Sequence, residues 1–309
     1  RDDLLVAHDA HPQYASTLHA LRLPGANRIS IQHHRAHIAS VLAEQSAWDE
    51  AVIGVSFDGT GYGDDGTIWG GEIFAGNVRN GLERIAHLRS AALAGGDAAA
   101  QYPVQAAAGF LSQLENLPDL TAKPFDFGPR YRSARQLMER KVRTFTTTSM
   151  GRLFDAAAAL LGFTRESTFE GQAAIWLEQL ASKAPEADAY PFPFVTGEID
   201  FRPLLSALIE DRRNGRPLAE IARAFQLGVA QGSFAAVRLL CAEHSIRTVV
   251  LSGGVFQNEL LLADLKPLFD SANLRVWTNN AVPPNDGGIS LGQAALAAFL
   301  PAIHGASHA

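Results

Sequence analysis

A glycine- and aspartate-rich stretch between two apolar runs constrains this chain more than any other feature. Residues 58–71 read Asp58-Gly59-Thr60-Gly61-Tyr62-Gly63-Asp64-Asp65-Gly66-Thr67-Ile68-Trp69-Gly70-Gly71, with six glycines and three aspartates. The apolar run before it, 51–57, reads as a buried strand, and 72–75 as the returning strand. Glycine lets a backbone approach a ligand closely and adopt positive φ. Successive backbone N–H groups in such a turn can cradle phosphate. The carboxylates would repel bare phosphate, which points to a metal or a polar substrate beside it. The alternative is a long hairpin with a flexible turn.

The flanking sequence reads as α/β. Residues 4–7 form a short strand closed by His8-Asp9-Ala10-His11-Pro12, and 14–21 a helix. A strand at 28–31 runs through Gln32-His33-His34-Arg35-Ala36-His37 into an apolar helix at 38–45. A boundary near 46–50 would divide the chain into 1–50 and 51–309, the second unit carrying a helical insertion over about 92–240. Helical spacing is visible at 104–117, 133–141, 148–161, 168–181, 201–212 and 218–244, with Gly162 as a stop. Residues 185–203, rich in proline and aromatics, read as a packed loop. The end is βαβ, with strands at 248–251 and 274–277. Loops at 252–258 and 279–288 follow them, and open α/β sheets build their sites at such strand ends.

Composition narrows the classes. With 309 residues, 47% apolar, the chain has ample core for one large α/β unit or two domains. A net charge of −6 argues against a general nucleic-acid footprint. The single cysteine, Cys241, excludes an internal disulfide framework and a cysteine-rich zinc site; it reads as a core residue in a reducing compartment. No uninterrupted apolar stretch is long enough to span a bilayer, and the acidic start is no signal peptide. A start without methionine suggests a fragment or a processed chain.

His33 and His37, four residues apart at a helix start, place two imidazoles on one face, as in metal-binding pairs. Two nitrogens make an incomplete site, and Asp58 and Asp286 are the carboxylate candidates. The competing reading is a pair of surface histidines. Ser252-Gly253-Gly254 after an apolar strand reads as a phosphate loop or as an ordinary strand-to-helix turn. Neither a P-loop nor a Rossmann fingerprint is present. Gly151 and Asp155 lie one turn apart near a helix start. There a nucleoside could rest on the glycine and Asp155 accept from ribose hydroxyls, or Asp155 could simply favour the helix dipole. His8-Asp9 and His11, closing a strand, could orient substrate or carry protons in catalysis, or serve in structural hydrogen bonds.

Taken in order, His33-x-x-x-His37, Asp58-Gly59-Thr60-Gly61, Gly151-x-x-x-Asp155, Ser252-Gly253-Gly254-Val255-x-x-Asn258 and Asn285-Asp286-Gly287-Gly288 resemble the Kae1-like domain of the HypF carbamoyltransferases, the nickel–iron hydrogenase maturation family. The segment Val6-Ala7-His8-Asp9-Ala10-His11-Pro12 is similar to the same family. The resemblance implies an actin/hexokinase/Hsp70-like ATPase (ASKHA) fold, with two lobes around a nucleotide cleft and a first lobe cut short at its N-terminus. It implies His33, His37 and Asp286 as ligands of one divalent iron or zinc. Asp58 would be a further ligand or a substrate-side catalytic carboxylate. It implies Gly59, Thr60, Gly61, Gly151, Asp155, Gly253, Gly254 and Asn258 as the ATP or carbamoyl-adenylate site, with backbone N–H groups at 59–61 and 253–254 on phosphate. The implied reaction moves a carbamoyl group from carbamoyl-adenylate to the C-terminal cysteine thiolate of HypE, in the cytoplasm, on the route to the cyanide ligands of the hydrogenase. Upstream acylphosphatase-like, zinc-finger and YrdC-like domains would make the adenylate from carbamoyl phosphate and ATP. Neither nucleic acid nor membrane is an implied partner. The competing assignments are an O-carbamoyltransferase of natural-product biosynthesis, a small-molecule kinase, and a non-catalytic nucleotide-binding fragment.

Overall fold

The computed structural model describes residues 4–24, 27–96, 98–184 and 187–299. The expectations for residues 1–3, 185 and 186 lie outside them. The chain opens with β1 (Leu5–Asp9), α1 (Ala15–Arg22) and β2 (Asn27–Ile31); β1 and β2 form a parallel pair in register from Leu5–Asn27 to Asp9–Ile31. Then come α2 (His33–Glu44) and an antiparallel meander of β3 (Val52–Tyr62), β4 (Ile68–Asn77) and β5 (Gly81–Leu88). The middle of the chain contains β6 (Ala91–Ala94), α3 (Ala98–Gln101), α4 (Pro103–Leu111), α5 (Pro129–Glu139), β7 (Thr144–Thr147), α6 (Met150–Leu161), α7 (Gln172–Ala181), β8 (Phe194–Val195), β9 (Glu198–Ile199), α8 (Arg202–Arg213) and α9 (Leu218–His244). It ends with β10 (Thr248–Ser252), α10 (Glu259–Ser271), β11 (Arg275–Thr278) and α11 (Ile289–Phe299).

Nine strands make one mixed sheet in the order β11-β10-β3-β4-β5-β9-β8, with β7 joined to β4 and β6 to β7. β11, β10 and β3 are parallel, so the loops after β10 and β11 emerge at the same edge, beside the far end of β3. The period-2 alternation explains why helices cover both faces. Ile53, Val55, Phe57, Val249 and Leu251 face one apolar layer with Leu153 and Phe154 of α6 and Phe225 of α9. Val52, Phe74 and Val250 face the other, with Ile38, Val41 and Leu42 of α2 and Leu296 of α11. Each fully buried Ile, Val or Leu contributes roughly 1.5–3 kcal/mol.

The structure departs from the sequence reading at several elements. The glycine-rich stretch is not one long loop: β3 continues through Asp58 to Tyr62 and β4 begins at Ile68. The pairing register breaks between Phe57 and Gly61, a bulge that tolerates glycine inside a strand. The 92–240 region contains four strands among its helices; the Ala-rich β6 pairs with β7, contributed from residues 144–147. The helix expected over 104–117 ends at Leu111. Helix α9, with 27 residues, does have the length and apolarity of a membrane span, against the sequence expectation; 61% of its most apolar window is buried within the protein, as in a core helix.

Candidate functional site

Helix α2 carries the two histidines. Its N-cap, Gln32, accepts from the Arg35 N–H at 2.9 Å, so the helix starts at once after β2 and places His33 and His37 one above the other. The helix is clamped between the sheet and α11, so both imidazoles are buried, each 1% exposed. Asp58 enters from the register break of β3, and Asp286 from the loop after β11, where the Asn285 side chain accepts from the Gly287 N–H at 3.0 Å. The Nε2 atom of His33 lies 3.2 Å from Asp58 Oδ2 and 3.3 Å from Asp286 Oδ1; for His37 Nε2 the distances are 3.4 and 3.6 Å. One ligand atom from each of the four residues lies within 4.8 Å of all the others. The second oxygen of Asp58 accepts from the Gly254 N–H at 3.1 Å, tying the loop after β10 to the cluster.

Behind the cluster, Asp9 Oδ2 is 2.8 Å from Nδ1 of His33, while its other oxygen accepts from the His11 N–H at 2.7 Å. A carboxylate on Nδ1 fixes the tautomer and turns the Nε2 lone pair inward, the usual support of a metal-ligating histidine. Burial opposes the charged form of His33, but hydrogen bonds to Asp286, Asp58 and Asp9 outweigh it and hold its pKa well above the ordinary value. Burial opposes the charged form of His37 too, but its Nε2 stands close to the same two carboxylates, Asp286 and Asp58, and its pKa is raised. Burial would raise Asp58, yet the two imidazoles hold it well below the usual carboxylate range, and Asp286 follows it. The donor set suits a divalent ion. Two ligands about 2.0–2.1 Å from a tetrahedral ion stand about 3.4 Å apart, and His37 Nε2 is buried with no hydrogen-bond partner among the described residues.

A cavity of about 590 Å³ opens from Asp58 and Asp286. Gly59, Gly151, Asp155, Gly254 and Asn258, all expected nucleotide residues, line it. Thr60, Gly61 and Gly253 are not among its lining residues. Thr60 is exposed, and Gly61 packs against the histidine rings. The N–H of Gly253 donates to the Pro284 carbonyl at 3.0 Å and that of Gly254 to Asp58, so neither N–H is left for phosphate. Asn258 caps α10, accepting from the Leu261 N–H at 2.8 Å. His8 and His11 are held in local bonds. The first uses Nδ1 on the Asp9 carbonyl at 2.8 Å; the second accepts from the Gln13 N–H at 3.1 Å and stacks on Tyr14. Neither belongs to the four-residue cluster.

The N-terminus of α6 is pressed against this cavity. Ser149 caps it, accepting from the Arg152 N–H at 3.1 Å, and its hydroxyl lies 3.1 and 2.5 Å from the carbonyls of Asp58 and Gly59. A Cβ at Gly151 would lie 2.8 Å from Gly59 Cα, so only glycine permits this approach. Glu72, fully buried, accepts from the Thr148 hydroxyl, the N–H groups of Gly70 and Gly71 and Arg84 Nε, and so anchors the segment leading into α6. Arg152 Nε lies 3.1 Å from Asp155 Oδ2 inside the cavity wall. Burial pushes Asp155 up to about 6; Arg152 pulls it down and Glu170 adds to the rise. For two supporting groups, the contact of Asp9 with His33 and the place of Arg152 in the cavity wall, the sequence gives no direct sign. Their position inside the recognised motifs, next to His8 and to Gly151, was the available signal.

Comparison with known proteins gives a consistent result. The family described as carbamoyltransferase, Kae1-like domain, second subdomain, matches residues 54–293, and the HypF Kae1-like domain matches 2–44. Carbamoyltransferase HypF2 of Cupriavidus necator is 35% identical, over 94% of this chain and 39% of that protein. Carbamoyltransferase HypF of Rhodobacter capsulatus is 38% identical, over 95% of this chain and 39% of that protein. The chain therefore spans about two fifths of the length of these curated relatives. A crystal structure of full-length HypF in the phosphate- and nucleotide-bound form superposes with a TM-score of 0.87 at 38% identity, covering 99% of this chain and 48% of that one.

Proposed function

Because the chain belongs to the HypF carbamoyltransferase family, as its Kae1-like domain of actin/hexokinase/Hsp70-like fold, we propose that it transfers a carbamoyl group from carbamoyl-adenylate to the C-terminal cysteine thiolate of HypE in the cytoplasm. The observation that carries this reading is the juxtaposition of the His33–His37–Asp58–Asp286 cluster with the 590 Å³ cavity, the two sharing Asp58 and Asp286 as common wall. The relative solved with phosphate and nucleotide supports assigning the cavity to the adenylate. Upstream YrdC-like, zinc-finger and acylphosphatase-like domains of the longer protein would supply that intermediate.

Carbamoyl-adenylate already carries AMP as its leaving group, so catalysis reduces to placement, polarisation and a thiolate. The partner's sulfur attacks the carbamoyl carbon; the S–C bond forms as the C–O bond to the phosphate breaks, and AMP departs with that electron pair. The acceptor brings its own sulfur, in keeping with Cys241, which is buried and whose thiol burial pushes up to about 11. A divalent iron or zinc held by His33, His37, Asp58 and Asp286 would supply Lewis-acid polarisation of the carbamoyl or phosphate oxygens. Asp58 bridges the two halves of the site, one oxygen toward the histidines and the other on the Gly254 N–H. Asp9 keeps the His33 ring oriented, and the α6 N-terminus presents its dipole to the anionic end of the ligand.

Incubation with carbamoyl-labelled adenylate and a HypE acceptor is expected to place label on the terminal cysteine, with one AMP released per carbamoyl transferred. AMP release with an unlabelled thiol refutes the acceptor, and absence of both products refutes the reaction. Asp9→Asn is expected to weaken zinc or iron binding about 10–100-fold, the usual effect of losing a carboxylate behind a ligating imidazole. Competition with a chromophoric chelator measures it, and an unchanged affinity removes Asp9 from the site.

A further inference from the structure

The charges around the cavity are lopsided. Asp58, Asp155, Glu170, Glu178 and Asp286 line it, and Arg152 is the one cation among its described lining residues. An anionic ligand entering there meets five carboxylates, and only one side chain can offset them. Arg152 is itself only 4% exposed, on the first turn of α6. Its Nε faces Asp155 Oδ2 at 3.1 Å, yet among the described residues neither atom forms a well-directed hydrogen bond, and Nη1 is also buried without a partner there. Its Nη2 extends over Gly59, 3.4 Å from where a Cβ on that residue would stand.

A staple along the helix is the simpler account of an Arg–Asp pair three residues apart. It fits poorly here. A buried ion pair offsets its desolvation only when geometry is good and the remaining donors are satisfied. Leaving a charged donor unsatisfied costs more than leaving a neutral one. The guanidinium fork matches a phosphate with two parallel N–H bonds, which a lysine cannot reproduce. Its position between Gly59 and the helix N-terminus is where the helix dipole also favours an anion.

Resting on the reading of the cavity as a nucleotide site, we propose that Arg152 is its phosphate-binding residue, gripping the phosphate next to the ribose, with Asp155 beside it as its counter-charge in the free site.

Calorimetric titration of the 309-residue chain with AMP and with adenosine, both in chelator so that no metal holds the phosphate, tests this. Wild type is expected to bind AMP about 10–100-fold more tightly than adenosine, the worth of one charged bidentate contact. Arg152→Gln should remove that preference and leave adenosine binding unchanged, with Arg152→Lys retaining part of it. Arg152→Lys keeps the positive charge and loses the fork, so its partial preference carries the test even if Arg152→Gln unfolds. Equal binding of AMP and adenosine by wild type, or a full preference persisting in Arg152→Gln, overturns the assignment while the cavity remains a nucleoside site. Binding of neither ligand overturns the nucleotide reading together with it.

Discussion

Replacing His37 with alanine is expected to abolish carbamoyl transfer and to strip bound iron or zinc, while the chain stays folded. His37 supplies one of two nitrogen donors, and the substitution leaves one imidazole facing two carboxylates. A tetrahedral ion then loses a quarter of its protein ligands and one of its two more selective ones. Loss of Lewis-acid polarisation removes several kcal/mol of transition-state stabilisation, a fall in transfer rate of about 10³-fold or more. The fold should survive for a local reason. Among the described residues the His37 Nε2 atom makes no hydrogen bond, so truncation breaks none there. The remaining cost is a cavity and weaker compensation of Asp58, about 1–3 kcal/mol of the roughly 5–15 kcal/mol typical of a domain. Elemental analysis, transfer assay and thermal unfolding of the same preparation separate these effects. Full transfer by a variant that holds no metal would remove the ion from the mechanism.

The His33–His37–Asp58–Asp286 cluster was legible in the sequence because ligand chemistry restricts both residue type and spacing. Two imidazoles must share a helix face, which forces the four-residue interval of His33 and His37. Two carboxylates sat in glycine-rich loops at strand ends, and the structure brings both to the histidines. What stayed hidden depends on tertiary proximity. Asp9 meets His33 across 24 residues, because β1 and β2 lie parallel and end side by side. The segment Ala91–Ala94 has helix-forming composition and no strand pattern. It is a strand because the β-prone Thr144–Thr147 offers it a partner some fifty residues away. Gly61 reads as turn punctuation, whereas the chain uses it inside an extended strand to admit two imidazoles. Glycine reports that something comes close; it does not say whether a ligand or the protein's own atoms do.

Gly61 shows what that ambiguity means for function, and Gly61→Ala should have the second-largest effect of any single change to the site. A Cβ there would lie 2.4 Å from His34 Cε1 and 2.9 Å from both His34 Nε2 and His33 Cδ2. Neither ring can retreat. His34 is fully buried with Nδ1 3.1 Å from Gln32 Nε2, and His33 is held from behind by Asp9. Overpacking of this kind costs about 1–3 kcal/mol. The larger consequence falls on the metal, because ligand distances must hold to about 0.2 Å. A methyl group pressing on the His33 ring is therefore expected to weaken zinc or iron binding about 100-fold and to lower the unfolding temperature. Adenosine binding should be untouched, since Gly61 is not among the residues lining the cavity. That pattern separates packing against a ligand from packing against the protein's own ligands. Metal affinity retained with nucleoside binding lost would return Gly61 to the nucleotide loop. Loss of both would show that the α2–β3 contact supports the whole cleft, with the cluster and the cavity responding as one body through Asp58.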